Sequence, residues 1–519
     1  MVFTLVSFAN CQHAGTQVRQ RRASQPEKGR IIRLKATDNL QKAIDDAEFG
    51  DDIILKPGAS YGAVILPFKA GTNNNEYITI QTEGFSAILK EGERVRPPEH
   101  AQAMAKILSP GGRPAVATAP QAHHYRFIGT EIAPVANSEY VYNLVDLGAS
   151  DYNSYSQFPH HLIFDRCYVH STGLNKARRG FAINSAETSI LNSYVSGFAG
   201  AGDETQAIAG WNGPGPFHVV NNFLEAGGEV ILIGGSDPSI KDLVPSDIEI
   251  RRNHLHRPIE WQGRAAIKGT FELKNARRVV IDGNLIESQI LTTAFVITVR
   301  NQNGKAPWST IEDVEITNNI VRHAAGGFNI LGSDNEHQSQ TAHRIRISNN
   351  LITDLVEDNP ANIAYFIQIN GGEAITVEHN TVQQAGNIIT SYKQPTQSFV
   401  FRDNIVQYGK YGLVCVGEGP PCKREGPFCR CFPDSVIKGN VIADNTNALR
   451  SDSSIPSHYP LGNFFVESFD KILFVDYLKG DWRLAPASKF RSRATDGKDP
   501  GIDVAALDAS GVRTVEGSQ

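Results

Sequence analysis

The chain has 519 residues, 40% of them hydrophobic and 20% charged, with 46 glycines and 26 prolines. That composition excludes a disordered chain and points to a turn-rich, β-leaning fold; no apolar run reaches the ~20 residues of a membrane span. A net charge of −5 argues against a globally basic nucleic-acid binder.

At the N-terminus, "MVFTLVSFANC" carries a short apolar stretch without the basic segment of a secretory signal. Residues 1–29 therefore read either as an atypical signal, with Cys11 in a poor lipoprotein-like cleavage site, or as an N-terminal arm. In "DNLQKAIDDAEFG", Leu40, Ala43, Ile44 and Ala47 fall on one helical face, with Asp38 as the N-cap and Gly50 as the stop. A stack of strands leaves a raw edge at its end, and this amphipathic helix is placed to cover it. "DDIILKPGASYGAVILP" supplies the first strands, and 90–125 reads as a long excursion.

From residue 160 one phrase returns, as in "FHVVNNFLEAG", "DIEIRRNHLHR", "RVVIDGNLIES", "DVEITNNIVRH" and "RIRISNNLITD". It aligns Asn222, Asn253, Asn284, Asn319, Asn350, Asn380, Asn404 and Asn440, with Cys167 and Ser193 in the same slot earlier, at a spacing of mostly 30 or 31. That is a solenoid period. Apolar residues alternate within each copy (Val314, Ile316, later Ile320), so the units are strands. A third strand follows each phrase: "EVILIGG", "TFELKN", "FVITVRN", "GFNILGS", "YFIQING". Three short strands per period predict an all-β fold, a single right-handed parallel β-helix over 30–470, with coils ~4.8 Å apart. Stacked in register, the asparagines form a hydrogen-bonded ladder and tolerate a left-handed bend at the turn. Residues 471–519 read as an irregular tail that closes the last coils. Cys415, Cys422, Cys429 and Cys431 crowd one Gly/Pro loop, predicting two disulfides and an oxidising compartment. A zinc site is the rival reading, at an unusual spacing.

In the third-strand column, Leu273 and Val299 are expected inside at equivalent positions, and Lys274 and Arg300 outside, side by side. Gly234, Gly332 and Asn370 flank them and leave room for a ligand. Adjacent cations repel, which favours the neutral amine of the lysine, while arginine stays charged. A base beside a fixed cation suits β-elimination on a uronate: the cation neutralises the carboxylate, the base takes the adjacent proton, and the glycosidic oxygen leaves. Between 251 and 323, eleven Lys/Arg stand against seven Asp/Glu, a basic belt suited to an anionic chain. Trp211, Trp261 and Trp308 in Gly/Pro-rich loops offer faces for sugar rings, or roof the core. Arg277 and Arg278 read as solvated charge or substrate contacts. His254 and His256 alternate on one strand face without a carboxylate at helpful spacing for a metal.

The stretch "ELKNARRVVIDGNLIESQILTTAFVITVRNQNG" resembles the parallel β-helix polysaccharide lyases of the alginate lyase and chondroitinase B kind. The resemblance implies Lys274 as Brønsted base and Arg300 as its acid-side partner. It departs in having Asn275 and Asn301 after the two basic residues, and in a longer step of 26 positions from one to the other. Some of those enzymes hold calcium, which would make Glu272 and Asp237 candidate ligands; Glu272 is otherwise an ion-pair partner for Lys274. The expectation is an exported monomer, secreted, periplasmic or at the cell surface, cleaving an anionic polysaccharide. The alternatives are a β-helix glycoside hydrolase, which needs paired carboxylates, and a non-catalytic carbohydrate-binding scaffold.

Overall fold

The computed structural model of the chain describes residues 29–71, 76–357, 364–416 and 428–512. The arm or signal expected over 1–29 lies outside these residues except for Gly29, as do Cys11 and Cys422. Three parallel sheets of 14, 14 and 12 strands run the length of the molecule. Each strand pairs with its counterparts one coil before and one coil after, and the rest of the coil serves as the crossover. The chain is thus a right-handed parallel β-helix.

Register follows from the repeat. In the first sheet Val219, Ile250, Ile281, Ile316, Ile347 and Val377 stand one above another, all buried. In the third sheet Phe271, Phe295 and Phe328 stack, the last two with rings 4.8 Å apart and nearly parallel. A one-residue slip anywhere would turn such a column outward, so burial on the inner face fixes the register.

The turn between the first and second sheets carries the ladder. Asn253 donates its amide and side-chain N–H to Asn284 Oδ1 at 2.9 and 3.0 Å, and gives its second side-chain proton to the Val219 carbonyl. The pattern repeats from Asn222 to Asn440 and extends to Asn463, a rung not anticipated above. Ser193 continues it upward, accepting from the Cys167 amide. The left-handed residue is not the ladder asparagine but the one before it: Asn221, Arg252, Gly283, Asn318, Asn349, His379 and Asp403 all have positive φ.

A second left-handed column lies where the third sheet turns into the first. His124, His161, Glu187, Asp247, Arg278, Asp313 and Arg344 occupy it, with φ between 44° and 59°. Arg278 pairs with Asp247 at 2.6 Å and Arg344 with Asp313 at 2.5 Å, so opposite charges alternate up this edge. Burial brings the pKa of His124 and of His160 down to about 4, so both rings are neutral at pH 7.

Local details differ from the sequence reading. The first helix, Leu40–Asp46, is capped by Asn39, whose side chain accepts from the Lys42 amide at 3.0 Å; it ends at Ala47, before Gly50. Asp38 instead accepts from the Lys35 amide. The excursion is shorter than 90–125. Strands Ala105–Ser109, Val116–Thr118 and His123–Ile128 take regular places in the three sheets. The irregular part docks through half-buried Arg94, which donates to the carbonyls of Asn221 and Arg252.

The C-terminal tail also does more than close the last coils. Strands Phe474–Asp476 and Asp481–Leu484 pair antiparallel, and the chain then runs back to helix Val504–Ala509. On the way it bonds Asp403, then Thr381, then Asn349, stepping across successive coils. In the cysteine loop, Cys415 and Cys431 form a disulfide with Cα atoms 6.0 Å apart, and Cys429 is disulfide-bonded as well.

Candidate functional site

Lys274 directly follows strand Phe271–Leu273 of the third sheet, and Arg300 stands two residues beyond strand Thr293–Thr298 of the next coil. The expected register is off by two: Leu273 pairs with Ile297, not Val299. The later strand runs one residue further at this end of the pair, and Arg300 stands two residues beyond it, so Lys274 lies diagonal to Arg300 rather than directly opposite. The two still adjoin, because the Arg300 amide donates to the Lys274 carbonyl at 2.9 Å.

Each cation has an acidic partner. Lys274 Nζ is 3.1 Å from Glu272, with side-chain exposures of 21% and 7%. Burial pushes the Glu272 carboxyl above the usual range, and the charge of Lys274 opposes that shift. Arg300, 30% exposed, lies 3.5 Å from Asp334 and donates to the Asn335 side chain. Burial works against ionisation of Asp334, but hydrogen bonds from the amides of Glu336, Asn301 and His337 outweigh it and hold the carboxyl low.

Arg300 opens onto a cavity of about 620 Å³ on the outer face of the third sheet, lined by Thr298, Asn329, Gln368, Asn370 and Tyr392. Asn370 is therefore in the groove as expected; its Oδ1 also accepts from the Gln394 amide at 3.0 Å. A second depression of about 870 Å³, with Lys268, Thr293, Tyr365 and Tyr411, shares Gln368 and Tyr392 with the first. The two make one trough along the sheet. The flanking glycines do not supply its space. A Cβ on Gly234 would lie 2.7 Å from the Asn275 amide, and one on Gly332 would lie 2.1 Å from that of Gly372, so both serve close chain approach.

The other expected residues are more scattered. Arg277 is on the first sheet, a different wall, 3.7 Å from Glu312. Much of the basic belt is likewise committed: Arg278 pairs with Asp247, Arg251 with Asp282, and buried Arg257 donates to the Gly228 carbonyl. One face of Trp211 is taken by the Arg179 guanidinium, 5.0 Å from the ring centre. Trp308 donates its indole N–H to the Leu243 carbonyl, pinning two loops together. Trp261, partly exposed, ends the short 3-10 turn Ile259–Trp261. Asp237 accepts from the amides of Asn303 and Lys305, both at 3.0 Å, and so braces the loop after Arg300. Its other oxygen is buried without a hydrogen-bond partner. With Glu272 paired to Lys274, these two carboxylates do not fit a calcium set, which needs six to eight oxygens.

Two features were missed. His254 and His256 do have carboxylates nearby, Glu287 and Glu225, each at 3.3 Å on a neighbouring coil. The outer face of the third sheet also carries a polar run above Lys274: Arg179 bridges Asn143 and Gln206, and Gln206 donates to Glu229 at 2.7 Å. Beside it, burial raises the Asp146 carboxyl to about 6. Extending the third-strand column upward through "VYNLVD", "RGFAI" and "QAIAG" would have exposed this run.

No protein-family model matches the chain, and no curated protein sequence matches it. Among solved structures it is similar to the PL6 family alginate lyase AlyGC (12% identity, TM-score 0.49, covering 94% of this chain and 60% of that one). It is also similar to a mannuronic acid specific family 6 lyase from human gut microbiota (11%, 0.48, 93% and 98%). A third is the tailspike of E. coli bacteriophage HK620 in complex with a pentasaccharide (12%, 0.43, 80% and 64%). The chain thus spans 60% of the length of the first of these. Likeness at this level assigns no residue a role. Among the described residues no helix is long and apolar enough to cross a membrane.

Proposed function

We propose that the chain cleaves a uronate-containing anionic polysaccharide by β-elimination, with Lys274 as base and Arg300 as the cation that receives the sugar carboxylate. One observation carries the reading: the main-chain hydrogen bond from Arg300 to Lys274 ties the two basic residues to adjacent coils, with Arg300 opening onto the trough. The guanidinium draws charge from the carboxylate and acidifies the neighbouring C–H. Lys274 leaves its ammonium proton on buried Glu272 as the polymer enters, and its neutral amine takes the proton from the sugar carbon. The electron pair forms the new C=C bond as the bond to the glycosidic oxygen breaks. The departing oxygen takes a proton from water, and an unsaturated uronate remains. Asn370, Gln368 and Tyr392 line the trough where hydroxyls of neighbouring sugars would lie. The Cys415–Cys431 disulfide fits export to an oxidising compartment, where such polymers are met.

A non-catalytic binding role is the second reading. It is favoured by Glu272 and Asp334, which already neutralise both cations. Incubation with alginate, pectate, chondroitin and heparin, followed through the ultraviolet absorbance of the unsaturated product, separates the two. The lyase reading predicts product on one of them, and a loss of about 100-fold or more in Lys274→Ala and in Arg300→Ala. Binding without product supports the scaffold, and reducing ends without unsaturation support a hydrolase.

A further inference from the structure

Two successive coils each begin their first-sheet strand with a histidine pair, "HH" at 123–124 and at 160–161. The register sets His123 opposite His160, so the four rings stack in two columns. His123 and His160 lie 5.0 Å apart and 3° from parallel, and His124 and His161 lie 4.1 Å apart and 13° from parallel. In an extended strand, neighbouring side chains would point to opposite faces. Here His124 and His161 have φ of 58° and 54°, and that bend lets each ring meet its predecessor. The Nδ1 atoms come to 2.9 Å in the first pair and 2.7 Å in the second.

The outer nitrogens have partners of the kind that surround metal-bound imidazoles. His123 Nε2 faces the Lys69 carbonyl at 3.1 Å, and His161 Nε2 faces the Glu187 carboxylate at 2.7 Å. A proton held at Nε2 by either acceptor leaves the Nδ1 lone pair directed inward at the neighbouring ring. One ring nitrogen from each of His124, His160 and His161 lies within 4.8 Å of the other two. Among the described residues this is the one group of three or more His, Cys, Asp or Glu side chains so placed. Phe49 and Tyr77 pack against the rings at 5.0 and 5.1 Å and screen the cluster.

We propose that His124, His160 and His161, with His123 beside them, bind one divalent transition-metal ion of the imidazole-preferring kind, Zn²⁺ first among them. Zinc–nitrogen bonds of about 2.0–2.1 Å put ligand nitrogens roughly 3.3 Å apart. Binding would therefore draw the two coils' rings together and spread the two short Nδ1 contacts slightly. The ion would clasp two successive coils of the first sheet, a different wall from the trough at Arg300. Its place is structural, and it does not rest on the proposed lyase activity.

The test uses the full chain without a histidine tag. After equilibration with Zn²⁺ and dialysis, elemental analysis should find about one equivalent retained, and Co²⁺ in its place should show the visible bands of a tetrahedral nitrogen site. His160→Gln and His124→Gln should each lower affinity at least about tenfold, while His254→Gln/His256→Gln should not. The wild-type protein also serves alone, through anomalous scattering at the zinc edge from zinc-soaked crystals. A peak among these four rings supports the site. Retention no greater than in the variants, or a peak elsewhere, overturns it and leaves a stacked imidazole column joined by Nδ1–H···Nδ1 bonds.

Discussion

Asn284 condenses the fold into one side chain. Its Oδ1 accepts from the amide and side chain of Asn253, and its Nδ2 donates to the Ile250 carbonyl and to Asn319. Asn284→Ala strands several buried polar groups at once, and the expected cost is on the order of 3 kcal/mol, read as a shift in denaturation midpoint. The ladder was legible because the same residue recurs in register. The left-handed position before it was not, since Asn221, Arg252, Gly283 and His379 share a backbone conformation and no chemistry. Asp146 makes a second prediction. Burial raises its carboxyl to about 6, against an ordinary 3.8, so between those values the folded state holds a proton that the unfolded state has lost. Stability should then fall as pH rises from about 4 to about 6, by up to about 3 kcal/mol. Asp146→Asn should flatten that slope, and an unchanged pH–stability curve would show that Asp146 is not its source.

At the scale of elements, the tail and the second sheet explain one another. Leu285, Ile320, Leu351, Ile405 and Val441 each follow a ladder asparagine and pack in a cluster with Trp482, Ile502 and Leu507, outside the main core. Their neighbours Ile286, Val321, Ile352, Val406 and Ile442 face inward. Ile320 thus belongs to the outer cluster, not to the inward set that simple alternation suggested. The sequence carried the signal in these consecutive apolar pairs, which mean burial on both faces of a strand. Leu507→Asp places a charge in this cluster. Limited proteolysis should then cut within 471–512 and leave the coils intact; a tail as resistant as the wild type's would mean that the cluster does not hold it.

Across the whole molecule, the sequence determines the stack far better than it determines the site. The period, three strands per coil and the continuous core were readable because every coil repeats them, and nearest-neighbour contacts carry most of the stability. The register of Lys274 against Arg300 was not readable, because it depends on how far one strand outlasts its neighbour before an irregular loop. Nor was the fate of the surrounding charges, since Arg277 and Arg278 leave the third sheet within a few residues. What survives is the adjacency of the two cations, and chemical rescue tests it most directly. In a Lys274→Ala protein supplied with the polymer that the wild type cleaves, small primary amines should restore product formation in proportion to their concentration, while the same amines leave Arg300→Ala inactive. Full activity of Lys274→Ala without any amine would contradict a base at this position.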